Sequence, residues 1–234
     1  MSRVLVVAEK EIRQLVKSRN VMLSALLFVI VFGIFTGPAV LSGTGTPGQV
    51  MDTLGFYLVL TLGIFIGYLF TGQVFLREKQ ERVIETLLCA PLSLRELWLG
   101  KVIGVAVPAT LLTYFSAVLI TIAGSLSTGY TLVPSAPVLF HVVVVVPACI
   151  AAASGILGFV QFMLGMRENQ ILNFVIIFAI IFLISFTRAL AGPAFLVTWT
   201  VVGAAFLLAF ALLLLTAWLT RFLSRERIVT TLPD

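Results

Sequence analysis

The chain has 234 residues, of which 60% are hydrophobic and 11% charged, whereas a water-soluble domain carries about 25% charged residues. With a mean hydropathy of +1.16, this excludes an ordinary soluble domain and a disordered chain. The net charge is +5, but the basic residues sit in a few short segments rather than over a surface, so nucleic acid is excluded as a partner. The composition is that of an all-α integral membrane protein.

Residues 4–17 place Leu5, Ala8, Ile12 and Leu15 or Val16 on one helical face, with Glu9, Lys10, Arg13 and Lys17 on the other. This predicts an amphipathic helix lying in the membrane interface, although the same basic residues also suit a plain topology anchor. No cleavable signal is recognised, because no small-residue cleavage site follows the first apolar run. Asn20 is the expected N-cap of the first span. A spanning helix needs about 20 mostly apolar residues, and six stretches meet or approach that: Val21–Leu41, Leu54–Leu76, Val102–Ala123, Val138–Leu164, Ile171–Thr187 and Ala194–Leu219. The fifth is the shortest and must cross with little tilt. Pro108 and Pro147 are expected to kink the third and fourth.

Charge sorts between these spans. Residues 1–20 hold five basic residues and residues 77–101 five more, while 42–53 and 124–137 hold none. Arg167 and the tail arginines Arg221, Arg225 and Arg227 fall on the first side, and Arg188 alone on the second. By the positive-inside rule both termini are cytoplasmic, which requires an even number of spans. The domain organisation is therefore residues 1–20 as an interfacial helix and 21–234 as a six-span domain. A cytoplasmic segment 77–101 and a cytoplasmic tail 220–234 belong to the latter.

In segment 77–101, Glu78, Glu81 and Glu85 recur at helical spacing on one face, with Ile84, Leu87 and Leu88 on the other. Pro91 should stop this helix at Ala90. Ser93-Leu-Arg-Glu96 then reads as a capping box opening the third span well before it enters lipid. A helix, a Pro91-Leu92-Ser93 corner and a span make a lever able to pass a push from a cytosolic partner into the membrane.

The residues Glu85, Leu87-Leu88, Pro91-Leu92-Ser93 and Leu99-Gly100-Lys101 resemble the hallmark of type-2 ABC exporter permeases. The six spans, the short external loops, the basic tail and the amphipathic first helix, the "elbow" of that family, recur in the same order. Arg82 and Val83 stand where many members carry Gly-Thr. The resemblance implies a permease subunit at the plasma membrane that pairs with a second copy or a paralogue and binds two ATPase subunits. Residues 77–90 would be the coupling helix. Glu78, Glu81, Arg82, Glu85, Thr86, Leu88, Pro91, Leu92, Ser93 and Arg167 are the expected ATPase-coupling residues. ATP and Mg would be held by the partner, and this chain would bind no cofactor. Gly100-Lys101 is no phosphate loop, since Arg95 replaces the first glycine and no Ser or Thr follows.

Within the spans there is no Asp or Glu, which disfavours ion-coupled secondary transport. In the family resembled, the first, second and fifth spans line the dimer interface and the translocation route. The resemblance therefore makes Tyr57, Thr61, Tyr68 and Thr71 of the second span and Asn173 and Ser185 of the fifth the candidate substrate-pathway residues, and ordinary interhelical hydrogen bonding is their simpler role. Gly63 and Gly67 form a small-residue pair that serves either a dimer seam or packing within the chain; Gly100 and Gly104 form another. Arg188 is expected to snorkel to the external interface. An enzyme is disfavoured. His141, the sole histidine, lies 13 residues from Ser154, roughly 20 Å along a helix, and Cys89 and Cys149 lack the company a metal needs. Two other readings stay open, a six-span structural or assembly factor without transport and a sodium-exporting permease.

Overall fold

The computed structural model describes residues 3–42, 46–81, 83, 93–165, 168, 169, 171, 175, 176, 178, 182 and 195–223. Every regular element among the described residues is helical. The long ones are α1 (Arg3–Lys17), α2 (Arg19–Ser42), α3 (Pro47–Gln80), α4 (Leu94–Thr128), α5 (Ala136–Met163) and α6 (Trp199–Leu219). Among the described residues, α3, α4, α5 and α6 extended to Phe222 are long and apolar enough to cross a membrane. A fifth candidate is Arg3–Lys17 with Arg19–Phe35, which meet at 75°. The predicted span Ile171–Thr187 falls largely outside the described residues, as does Arg188.

The bend between α1 and α2 is made at Ser18, not at Asn20. The Ser18 N–H closes α1 on the Gln14 and Leu15 carbonyls, and its own carbonyl accepts from the Met22 N–H, each at 3.1 Å. One residue thus ends one helix and opens the next, and Asn20 lies inside the first turn of α2. Helices α3 and α4 also overrun the spans expected of them because polar caps start them early. Thr46 with Gln49 forms a capping box for α3, with Pro47 at its head. Ser93 and Glu96 form the predicted one for α4: Glu96 N–H donates to Ser93 Oγ at 3.2 Å, and Ser93 N–H to the Glu96 carboxylate at 2.9 Å. Replacing Ser93 with alanine removes this bond and is expected to cost about 1 kcal/mol, read as a lower melting temperature of the detergent-solubilised protein.

The two prolines act differently. Pro108 lies inside α4, which runs unbroken from Leu94 to Thr128. Pro147 follows a π-helical turn, His141–Val145. It has no N–H to offer the Val143 carbonyl, and the Tyr114 hydroxyl from α4 donates there instead at 2.9 Å.

The hub is α4, which packs against α1, α2, α3 and α5, whereas α6 packs chiefly on α5. Ala25 and Val29 of α2, Leu62, Ile66 and Phe70 of α3, Val105 and Ala109 of α4, and Ile150 of α5 form one buried core. Gly63 and Gly67 face inward within the chain. A Cβ on Gly63 would stand 2.9 Å from Ile150 Cδ1 and 3.1 Å from Thr113 Cγ2, and one on Gly67 would stand 3.2 Å from Ser154 Oγ.

Candidate functional site

Residues 3–17, 77–81 and 93–101 of the two basic segments meet at one end of the bundle. There α1 lies directly on the start of α4, because two glycines let the backbones approach. A Cβ on Gly100 would fall 2.6 Å from Val7 Cβ and 2.9 Å from the Val4 carbonyl oxygen; on Gly104 it would fall 2.5 Å from Glu11 Cβ. The buried face of α1 is consequently Val7, Ala8, Glu11 and Leu15, rotated from the predicted stripe. Leu5 and Val16 are about half exposed, and a carboxylate, Glu11, points inward. A purely interfacial helix would not bury an acid. This one does because α4 and α3 supply the counter-charge.

That counter-charge is a closed ring. Lys101 of α4 donates to Glu11 at 3.0 Å and is paired with Glu78 of α3. Lys10 of α1 pairs with Glu78 at 2.7 Å and with Glu11 at 3.1 Å. Each carboxylate therefore touches two ammonium groups and each ammonium two carboxylates. Lys101, Glu11 and Glu78 are at most 2% exposed, and Lys10 closes the ring at its half-exposed edge. Burial alone would lower the Lys10 pKa, but the Glu78 hydrogen bond and the Glu11 charge outweigh it and hold the pKa above the usual lysine value. Lys101 also donates to the Val74 carbonyl at 3.2 Å, within a π-helical turn of α3 at Gly72–Leu76.

The next residue, Lys79, turns the other way. Its ammonium is buried and donates to the carbonyls of Gln161, Phe162 and Leu164 at 3.4, 3.2 and 2.6 Å. It thus satisfies the carbonyls that α5 leaves open at its end. Asn169 Nδ2 adds bonds to Gln161 and Leu164 at 3.1 Å. Adjacent residues of α3 thereby clamp α1 and α4 on one side and α5 on the other.

Of the predicted coupling residues, Glu78 is buried in the ring rather than displayed, Glu81 is exposed and pairs with Arg77 at 2.7 Å, and Ser93 caps α4. Arg82, Glu85, Thr86, Leu88, Pro91, Leu92 and Arg167 lie outside the described residues, as do Asn173 and Ser185 from the pathway set. Tyr57 packs edge-on against Phe56 at 5.1 Å, and Thr61 donates back to the Tyr57 carbonyl at 2.6 Å. Tyr68 lines a cavity of about 480 Å³ with Gly72, Gln73, Leu76, Arg77 and Glu81. One candidate pathway residue and one candidate coupling residue thus share a concave face of α3. His141 is buried and stacks on Phe56 at 4.2 Å, and Ser154 faces Gly67. Among the described residues no group of His, Cys, Asp and Glu is arranged to hold a metal.

The sequence reading missed Lys10, Glu11, Lys79 and Lys101 as partners. The available signal was a charge standing where an apolar stripe was due, at Glu11, and a lysine opening an apolar run, at Lys101.

A bundle of membrane-length helices tied at its basic end defines a multi-pass membrane protein. A family model described as ABC-2 family transporter protein matches residues 11–186, and the chain belongs to that family. It is accordingly a transmembrane permease subunit of an ABC transporter, not the ATPase, and ABC ATPase subunits are its partners. No curated protein and no solved structure matches the chain.

Proposed function

We propose that this permease is an exporter. Two copies, or this chain and a paralogue, alternate the exposure of a cavity between them, driven by two ATPase subunits that hold ATP and Mg. Each copy crosses the plasma membrane six times with both termini in the cytoplasm, as the basic-residue distribution requires. Residues 77–101 dock on the ATPase through Glu81, Arg82, Glu85, Thr86, Leu88, Pro91 and Leu92, and Arg167 lies on the same side. The observation that carries this reading is the frame at the basic end. Glu78 and Lys79 before the 82–92 stretch, and Ser93 and Lys101 after it, are all fixed by hydrogen bonds or ion pairs. A segment pinned at both flanks transmits force; a solvated loop does not.

The cargo class follows from the pathway candidates. Tyr57, Thr61, Tyr68 and Asn173 are uncharged. Tyr57 packs against the Phe56 and Phe195 rings, while Tyr68 shares its cavity with Gln73, Arg77 and Glu81. An apolar wall beside polar groups suits an amphiphile rather than an ion. Gentle detergent purification of the tagged chain from its own membranes, with mass spectrometry of what accompanies it, tests the assembly. A stoichiometric subunit with a phosphate loop is expected. A folded chain that brings no ATPase would return it to a structural role. In the purified complex, ATP hydrolysis should rise with amphiphiles and not with sodium, and stimulation by sodium alone would overturn the cargo class.

A further inference from the structure

We infer that the ring Lys10–Glu78–Lys101–Glu11 is the joint through which movement of residues 82–92 reaches α1, so that these four are positioning residues for the coupling step. The inference rests on the permease reading above and names the residues that carry the push beyond the docking segment.

Three observations bear on it. Glu78 and Lys101 stand 23 positions apart and flank the stretch 82–92, so the ring ties the two flanks to each other. Both are also bonded to α1, Glu78 through Lys10 and Lys101 through Glu11. Drawing either flank away from α1 would therefore separate opposite charges at a site where three of the four side chains are nearly shut off from water. Attraction between charges is far stronger there than at a surface, and a charge left alone is heavily penalised. Sliding is blocked as well, since Gly100 and Gly104 hold Val7 and Glu11 at backbone contact distance. Under load the ring either moves whole or breaks, and α1, being short and packed chiefly on α4, moves with it.

The alternation of charge gives the idea a signature that plain packing would not have. Exchanging only Glu78 and Lys101 sets like charges together at Lys10 and at Glu11. Inverting all four residues restores alternation everywhere. The test is hydrogen–deuterium exchange by mass spectrometry on the full complex with its ATPase subunits in nanodiscs, nucleotide-free and ATP-trapped. In the unaltered protein, exchange in 3–17 should shift between the two states together with exchange in 77–101. In Lys101→Met, the 77–101 response should persist while the 3–17 response is lost. The double exchange E78K/K101E should behave like Lys101→Met, and the fourfold inversion K10E/E11K/E78K/K101E should regain the response. If Lys101→Met does not fold, Lys10→Met opens the ring at its half-exposed corner and carries the same comparison. An α1 that never responds, or that responds equally with the ring broken, overturns the proposal while leaving the permease reading intact. A folded chain that binds no ATPase overturns both.

Discussion

Replacing Lys101 with methionine is expected to destabilise the protein by about 3–5 kcal/mol, the range found when one partner of a buried ion pair is removed. The substitution shortens the side chain by only one atom but leaves Glu11 and Glu78 sharing Lys10 alone, and it strips the Val74 carbonyl of its Lys101 donor. The loss is then dominated by the stranded carboxylates rather than by the missing attraction. Two comparisons separate these contributions in thermal unfolding of the solubilised protein. Adding Glu78→Gln to Lys101→Met should recover part of the melting temperature, since one stranded charge disappears. Exchanging all four ring residues for Met and Leu should recover most of it, because an apolar cluster of similar volume is often as stable as a buried ionic one. A single variant as stable as the unaltered protein would mean that water reaches the ring. In that case Lys101 would count as a surface lysine.

The second large effect is expected at Gly104. An alanine Cβ there would lie 2.5 Å from Glu11 Cβ and 3.3 Å from the Ala8 carbonyl oxygen. Neither atom is the free end of a flexible side chain, so α1 must shift as a whole. Overpacking of this kind typically costs about 1–3 kcal/mol, and Gly104→Leu should exceed alanine. Displacement of α1 should show as faster tryptic cleavage after Lys10, Arg13 and Lys17. Gly203 of α6 is the control. A Cβ there meets nothing within 4 Å, and alanine gains up to about 1 kcal/mol of helix propensity. The two glycine-to-alanine changes should therefore move stability in opposite directions. Equal effects would show that the contact between α1 and α4 is not close-packed.

Much of the fold was legible because a membrane helix leaves a simple trace, a long apolar run with charge at its ends. The presence and order of α3, α4 and α5 follow from that trace, and the Ser93–Glu96 box from side chains that bond their own neighbours; the early start of α3 at the Thr46–Gln49 box does not. The site was less legible because its contacts are between residues distant in the chain. Helical spacing puts Glu78 on one face with Glu81 and Glu85, but spacing alone cannot say which of them another helix will cover. The apolar stripe of α1 was misplaced for the same reason. Leu5 and Val16 look like its buried residues until α4 is seen to supply a lysine for Glu11. The π turns at 72–76 and 141–145 had no signal of their own, although Pro147 marks the place where one was needed.

The order in which the ring's members are synthesised has a consequence for how the protein is made. Glu11 leaves the ribosome 90 residues before Lys101, which at about 5–20 residues per second is about 5–20 s of translation. For that interval the nascent α1 has no Gly100–Gly104 surface to rest on, and Glu11 has only its neighbour Lys10 as counter-charge. In the proposed topology, with the N-terminus cytoplasmic, its arginines and lysines would hold it at the membrane surface meanwhile, by attraction to anionic headgroups. Completion of α4's first turns then captures it, so the latest-made member of the ring fixes the position of the earliest.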